Sequence, residues 1–221
     1  YRDIPYLIKI NSKTDLVKLG NAEPISQSLV DFEDVLVLKN NGHNVIGIGY
    51  TVYLGSEEES LMLSEAGRYV TWAHQNGLLA VLWMYPRGKA VVEEKDPHLI
   101  AGAAGVALSL GADFAKVNYP NKKKFNEKER AESFKEATTA AGRTKVITSG
   151  GSSRDVKMFL QETYDQIHIS GCGGNATGRN VHQKDFDEAV RMCNAISAIT
   201  LGDKDVGFAY KVYLGKENFI I

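Results

Sequence analysis

A chain of 221 residues is long enough for one large domain or two small ones, and a hydrophobic fraction of 43% is ample for a core. A formal net charge of −1 gives no basis for a nucleic-acid partner or an anionic membrane surface, and no apolar run reaches the ~18 residues of a membrane span. Cys172 and Cys193 show neither metal spacing nor a disulfide framework, so each is expected as a free buried thiol in a reducing cytoplasm.

Residues 4–10 read as a short strand with Pro5 near its start. Residues 11–28 are polar, carry Gly20 and Pro24, and read as a long loop. Helical spacing through Leu29, Phe32, Val35 and Leu36 predicts a helix over 28–40, stopped at Gly42. Residues 45–50 form a second apolar strand whose glycines suit a crowded interior or a close ligand. Ser56 is the expected cap of the next helix, with Glu59 completing a capping box and Asn76-Gly77 ending it. A third strand covers 79–85 and ends at Pro86-Arg87-Gly88. Asp96-Pro97 opens an alanine-rich helix over 98–110, with proline at the first helical position.

The fourth strand, 112–119, carries a single lysine, Lys116, in its middle. Lys122-Lys123-Lys124 reads as a solvated loop rather than an anion patch, ahead of an amphipathic helix over 126–140. Residues 145–149 are a fifth strand, ended by Gly150-Gly151. From 154 to 170, strand-like alternation in Gln166-Ile167-His168-Ile169 competes with helical spacing of Val156, Phe159, Leu160 and Tyr164, and a helix is preferred. A short strand at 175–177 precedes Gly178-Arg179-Asn180, and a final helix covers 185–199. The tail, 202–221, is an unplaced extension of one domain spanning 1–221, with Phe208, Tyr210, Val212 and Leu214 alternating as a strand would. Strand and helix alternate at intervals of about 30–40 residues, which predicts a parallel sheet with covering helices. A (β/α)8 barrel needs eight strands and typically about 250 residues, so the chain is either an open sheet or a barrel lacking two strands. No Rossmann glycine fingerprint follows the first strand.

A lysine inside a strand must be desolvated or line a pocket. Desolvation disfavours the ammonium and leaves nucleophilic amine, the requirement for Schiff-base chemistry on a carbonyl. The plain alternative for Lys116 is an edge lysine whose head reaches solvent. Trp83 and Tyr85 share one strand face, with Arg87 just beyond it, at the end where parallel α/β folds place their sites. Tyrosine there can move protons and arginine can clamp an anion. Ordinary packing, a rim hydrogen bond and a surface ion pair are their respective alternatives. Ser149-Gly150-Gly151 and Gly178-Arg179-Asn180 both lie between a strand and a helix, where bare backbone N–H groups suit a phosphate. Lys9 is a further candidate pocket cation, although a structural or rim lysine is preferred, and no histidine pair has metal spacing.

Five stretches in order carry a resemblance: Gly49-Tyr50-Thr51-Val52-Tyr53-Leu54-Gly55-Ser56-Glu57, Trp83-Met84-Tyr85-Pro86-Arg87-Gly88, residues 111–119, Ser149-Gly150-Gly151 and Gly178-Arg179-Asn180-Val181. They resemble the archaeal-type class I fructose-bisphosphate aldolases of the DeoC/FbaB branch. The resemblance implies a (β/α)8 barrel with its first two strands absent here, since the family opens two strands earlier on an Asp-His-Gly motif. It implies that Lys116 forms the Schiff base, Tyr85 moves protons at the cleaved bond and Trp83 shapes the pocket. It places phosphate contacts at Ser149, Gly150, Gly151, Gly178 and Arg179, with Arg87 as a further contact. It also implies a cytoplasmic homo-oligomer of glycolysis or gluconeogenesis, acting on a sugar phosphate without metal or cofactor. Met84 stands where a small residue is more usual, and the tail has no counterpart. The alternatives are a transaldolase-like enzyme or heptulosonate-type synthase on another sugar phosphate, and a phosphate-binding barrel without catalysis.

Overall fold

The computed structural model of the protein describes residues 2–13, 23–121, 125–151 and 154–220. Six strands, β1 (Tyr6–Lys9), β2 (Val45–Leu54), β3 (Leu79–Pro86), β4 (Phe114–Val117), β5 (Lys145–Ser149) and β6 (Gly174–Ala176), lie side by side in chain order. Every pair is parallel. A doubly wound sheet reverses its strand order at a switch point, whereas this order never reverses, which is the winding of a (β/α)8 barrel. The intervening helices are α1 (Phe32–Asn40), α2 (Glu59–Gln75), α3 (Pro97–Ser109), α4 (Glu127–Ala140) and α5 (Val156–Tyr164). After them come α6 (Arg179–His182), α7 (Phe186–Thr200) and α8 (Val206–Tyr213).

The two faces of the sheet differ in burial. Ile48, Tyr50, Val52, Ala80, Leu82, Met84, Ala115 and Val117 point at the helices and are buried. Tyr50 stacks on Tyr69 of α2 with ring centroids 5.8 Å apart, and Tyr119 meets Phe134 of α4 edge-on at 5.2 Å. Fully burying one such side chain contributes about 1.5–3 kcal/mol. The alternate residues Trp83, Tyr85, Phe114, Lys116, Ile147 and Ser149 point into the arc and are half-buried. Period-two geometry thus packs one face and leaves the other for chemistry. A second apolar cluster joins Phe159 and Leu160 of α5 to Met192 and Ile199 of α7 and Val212 of α8.

Several boundaries differ from expectation. Helix α1 begins at Phe32 rather than 28, because the Ser28 amide and hydroxyl both bond Glu65 and the Leu29 amide bonds the Ile10 carbonyl. Helix α2 begins at Glu59, because the Ser56 hydroxyl donates to the Pro24 carbonyl at 2.7 Å. The Glu59 carboxylate still reaches back, accepting the Gly55 amide at 2.5 Å. Asp96 caps α3 as read, accepting the amides of His98 and Leu99. The expected helix to residue 170 changes to a π-helical turn over Asp165–Ile169. The tail is a helix and not a strand. Asp205 caps α8 and the Arg191 guanidinium bonds the Tyr213 carbonyl at 3.0 Å, which docks α8 on α7. Cys172 is buried, but Cys193 is exposed, contrary to expectation. Residues 14–22 of the expected loop and the basic run 122–124 lie outside the described residues.

Candidate active site

Strand pairing sets the site. Lys9 is opposite Gly49, Thr51 opposite Trp83, and Trp83 opposite Lys116. The Trp83 indole lies over Gly49, where an added Cβ would come within 2.3 Å of the ring and 3.3 Å of the Lys9 side chain. Only glycine leaves room there, which accounts for Gly49 of β2.

Two lysines share that indole. Lys116 Nζ lies 5.3 Å and Lys9 Nζ 4.9 Å from its centroid. Lys9 therefore faces the interior and is no rim lysine. It donates to the Asn11 carbonyl (2.6 Å), Asn11 Oδ1 (2.8 Å) and Thr51 Oγ1 (2.8 Å). Asn11 is fully buried and is itself fixed by the Ser26 and Thr51 carbonyls and the Thr51 amide. Burial, and after it the charge of Lys116, lowers the Lys9 pKa to about 7, while three acceptors are arranged for an ammonium. Burial also holds Lys116 below the ordinary lysine range. Among the described residues, no acceptor lies within hydrogen-bonding distance of Lys116 Nζ.

Tyr85 Oη lies 3.1 Å from Ser149 Oγ. Burial raises the phenol's pKa, with Tyr53 adding to the rise, so the group is protonated at neutral pH. Arg87, placed just past β3, holds Glu94 through Nε at 2.8 Å and Nη2 at 2.9 Å, with its guanidinium carbon 5.6 Å from the Tyr53 ring centroid. The ion-pair alternative for Arg87 is thus realised while the residue still lines the cavity.

The two glycine loops are joined. The Gly150 amide bonds the Ala176 carbonyl at 3.0 Å, and an added Cβ on Gly150 would meet Thr177 Cα at 2.8 Å. Buried Asn180 donates to the Gly150 carbonyl (3.0 Å) and accepts the Arg154 amide (3.1 Å). Arg154 and Arg130 both reach Glu162 at 2.6 Å, which ties the chain after β5 to α4 and α5.

A cavity of about 580 Å³ is lined by Tyr85, Arg87, Lys116, Ser149, Gly150, Gly151, Gly178 and Arg179. Trp83 stands beside it against Lys116. Glu94, Lys95, Asn118 and His182 also line it and escaped the sequence reading. Asn118 shares the strand face of Lys116, so period-two spacing marks it. His182 lies three positions after Arg179 on α6, a helical neighbour. Nothing in spacing marks Glu94. Among the described residues, no group of three or more His, Cys, Asp or Glu side chains could hold a metal ion, and no helix is long and apolar enough to cross a membrane.

Comparison with known proteins agrees with this geometry. The family model described as DeoC/LacD family aldolase matches residues 1–184. A relative from Methanocaldococcus jannaschii, named fructose-bisphosphate aldolase/6-deoxy-5-ketofructose 1-phosphate synthase, is 57% identical over 216 residues. That match covers 97% of this chain and 67% of the relative, so the chain spans about two thirds of its length. The structure of a fructose-bisphosphate aldolase from Slackia heliotrinireducens superposes with a TM-score of 0.95 at 55% identity, over 100% of this chain and 69% of that one. An archaeal fructose-1,6-bisphosphate aldolase, solved with its catalytic lysine covalently bound to the carbinolamine intermediate, superposes at 0.76 with 31% identity, over 90% of this chain and 72% of that one.

Proposed function

The chain belongs to the DeoC/LacD family of aldolases, and on that premise we propose that it is a class I fructose-bisphosphate aldolase with Lys116 as its Schiff-base lysine. One observation carries the choice of nucleophile. Of the two lysines at the Trp83 indole, Lys9 is held by three acceptors and Lys116 by none among the described residues. An amine whose protons are all engaged must break those bonds before it attacks; among the described residues, Lys116 has no such bond to break.

In this reading the Lys116 amine adds to C2 of fructose 1,6-bisphosphate to give a carbinolamine. Tyr85, a neutral phenol, protonates the carbinolamine hydroxyl, which leaves as water and yields the iminium. The phenolate left behind takes the proton of the C4 hydroxyl, and its raised pKa makes it a strong base for that step. The C3–C4 bond then breaks, its electron pair flows into the iminium, and glyceraldehyde 3-phosphate departs. Protonation of the enamine at C3 and hydrolysis of the new iminium release dihydroxyacetone phosphate and the lysine. Ser149 orients the phenol, Trp83 supplies an apolar wall that excludes water, and the loops at Gly150-Gly151 and Gly178-Arg179 hold the C1 phosphate. The same reading carries a cytoplasmic homo-oligomer serving glycolysis or gluconeogenesis. A second reading has its own support: the printed name of the M. jannaschii relative includes a synthase whose product is 6-deoxy and carries a single phosphate. In this second reading the same Lys116 enamine would add to a different acceptor.

Borohydride reduction with dihydroxyacetone phosphate, followed by peptide mass mapping, tests the proposal. A triose-phosphate adduct on Lys116 is expected. An adduct on Lys9 moves the nucleophile to β1, and no adduct overturns Schiff-base chemistry for this chain.

A further inference from the structure

The cavity has two ends with different charge. At the glycine-loop end stand Arg179 and His182 with no carboxylate among the lining residues. At the other end are Arg87, Lys95 and Glu94, the only carboxylate that lines the cavity among the described residues. Glu94 takes both Nε and Nη2 of Arg87, the geometry by which a guanidinium binds carboxylate or phosphate. At the end that would receive the second phosphate of a bisphosphate, the Arg87 charge is therefore already paired from within, and Lys95 remains beside it.

From this we infer that Glu94 is a specificity-determining residue: it competes with a substrate phosphate for Arg87, and so sets how strongly the enzyme prefers doubly over singly phosphorylated sugars. This rests on the aldolase reading for the identity of the substrates, though not for the placement of charges. The chain around Glu94 is pinned. The Arg87 amide bonds the Leu54 carbonyl at 2.8 Å, and an added Cβ on Gly88 would meet the Gly55 carbonyl at 2.2 Å. Beyond Glu94, the Lys95 carbonyl accepts the Asn121 amide at 3.3 Å, and Asp96 caps α3. Glu94 is thereby held at the mouth of the cavity beside Arg87. The pair's side chains are 36% and 38% exposed, so the contact is weak enough for a phosphate dianion to displace and strong enough to weaken its binding. A substrate whose far end is an uncharged hydroxyl or methyl group leaves the pair intact and pays nothing for Glu94.

The test measures binding to the intact protein by calorimetry, using hexitol 1,6-bisphosphate and hexitol 1-phosphate. Neither has a carbonyl, so neither can form a Schiff base. For Glu94→Gln, the preference for the bisphosphate over the monophosphate, read as the ratio of dissociation constants, is expected to rise about three- to tenfold over the parent. For Arg87→Met it should fall below the parent. Glu94→Ala serves as the second variant if Glu94→Gln melts earlier than the parent. An unchanged or reduced preference in the folded Glu94 variant overturns the inference, as does failure of both hexitols to bind the parent. Borohydride trapping on Lys116 reports separately on the aldolase reading: an adduct without a Glu94 effect sinks only the specificity role. A Glu94 effect without an adduct sinks only the reaction.

Discussion

Lys9 and Lys116 approach one indole from β1 and β4, at 4.9 and 5.3 Å from its centroid, in opposite chemical circumstances. Both are half-buried, and burial lowers the pKa of each. Lys9 is caged by Asn11 and Thr51, whereas no acceptor among the described residues touches Lys116 Nζ. Burial alone therefore does not distinguish the two amines; the hydrogen-bond inventory does. The caged lysine, whenever protonated, is a fixed positive charge that disfavours a second ammonium nearby.

Five substitutions break or sharpen that contrast. Lys116→Ala should abolish turnover, a loss of at least about a thousandfold, because the covalent route disappears. Lys9→Ala should leave measurable turnover and a borohydride adduct, and equal losses in the two variants would erase the distinction. Gly49→Ala comes next. Its Cβ would sit 2.3 Å from the Trp83 ring, so the indole must move away from both amines. We expect a destabilisation of about 1–3 kcal/mol in chemical unfolding, with lowered kcat. The smallest effect is that of Lys9→Met on the pH profile. Removing a positive neighbour favours the Lys116 ammonium, so its pKa rises and the acidic limb of kcat/KM moves to higher pH. Lys9→Arg should restore the parent limb, and a limb that stays put in Lys9→Met would show that burial alone sets Lys116.

How far these features were legible in the sequence follows from the range of the interactions involved. The shared inward face of Trp83 and Tyr85 and the strand position of Lys116 were legible because strand alternation is local: one residue predicts the face of the next but one. The 145–149 strand and the Asp96-Pro97 helix start are equally local and came out as read. The Lys9 cage joins residues about forty positions apart through Thr51, and no spacing rule reaches that far. Glu94 likewise meets Arg87 only because Gly88 turns the chain back on the β2–α2 loop. The tail misled for a different reason. Phe208, Tyr210, Val212 and Leu214 alternate, but Ala209 and Val212 are the buried pair of α8, spaced as on a helix face, and docking on α7 decides between the two periods. The late start of α1 is tertiary too, since Glu65 from α2 takes the hydrogen bonds that a first turn would need.

Asn180, 2% exposed, binds the Gly150 carbonyl with its amide nitrogen and the Arg154 amide with its oxygen. For anyone remodelling this barrel, the two glycine loops are thereby a single module. Exchanging either for the loop of another enzyme would strand a buried carboxamide, so they can be transplanted only together, with Asn180 and its two backbone partners as the seam.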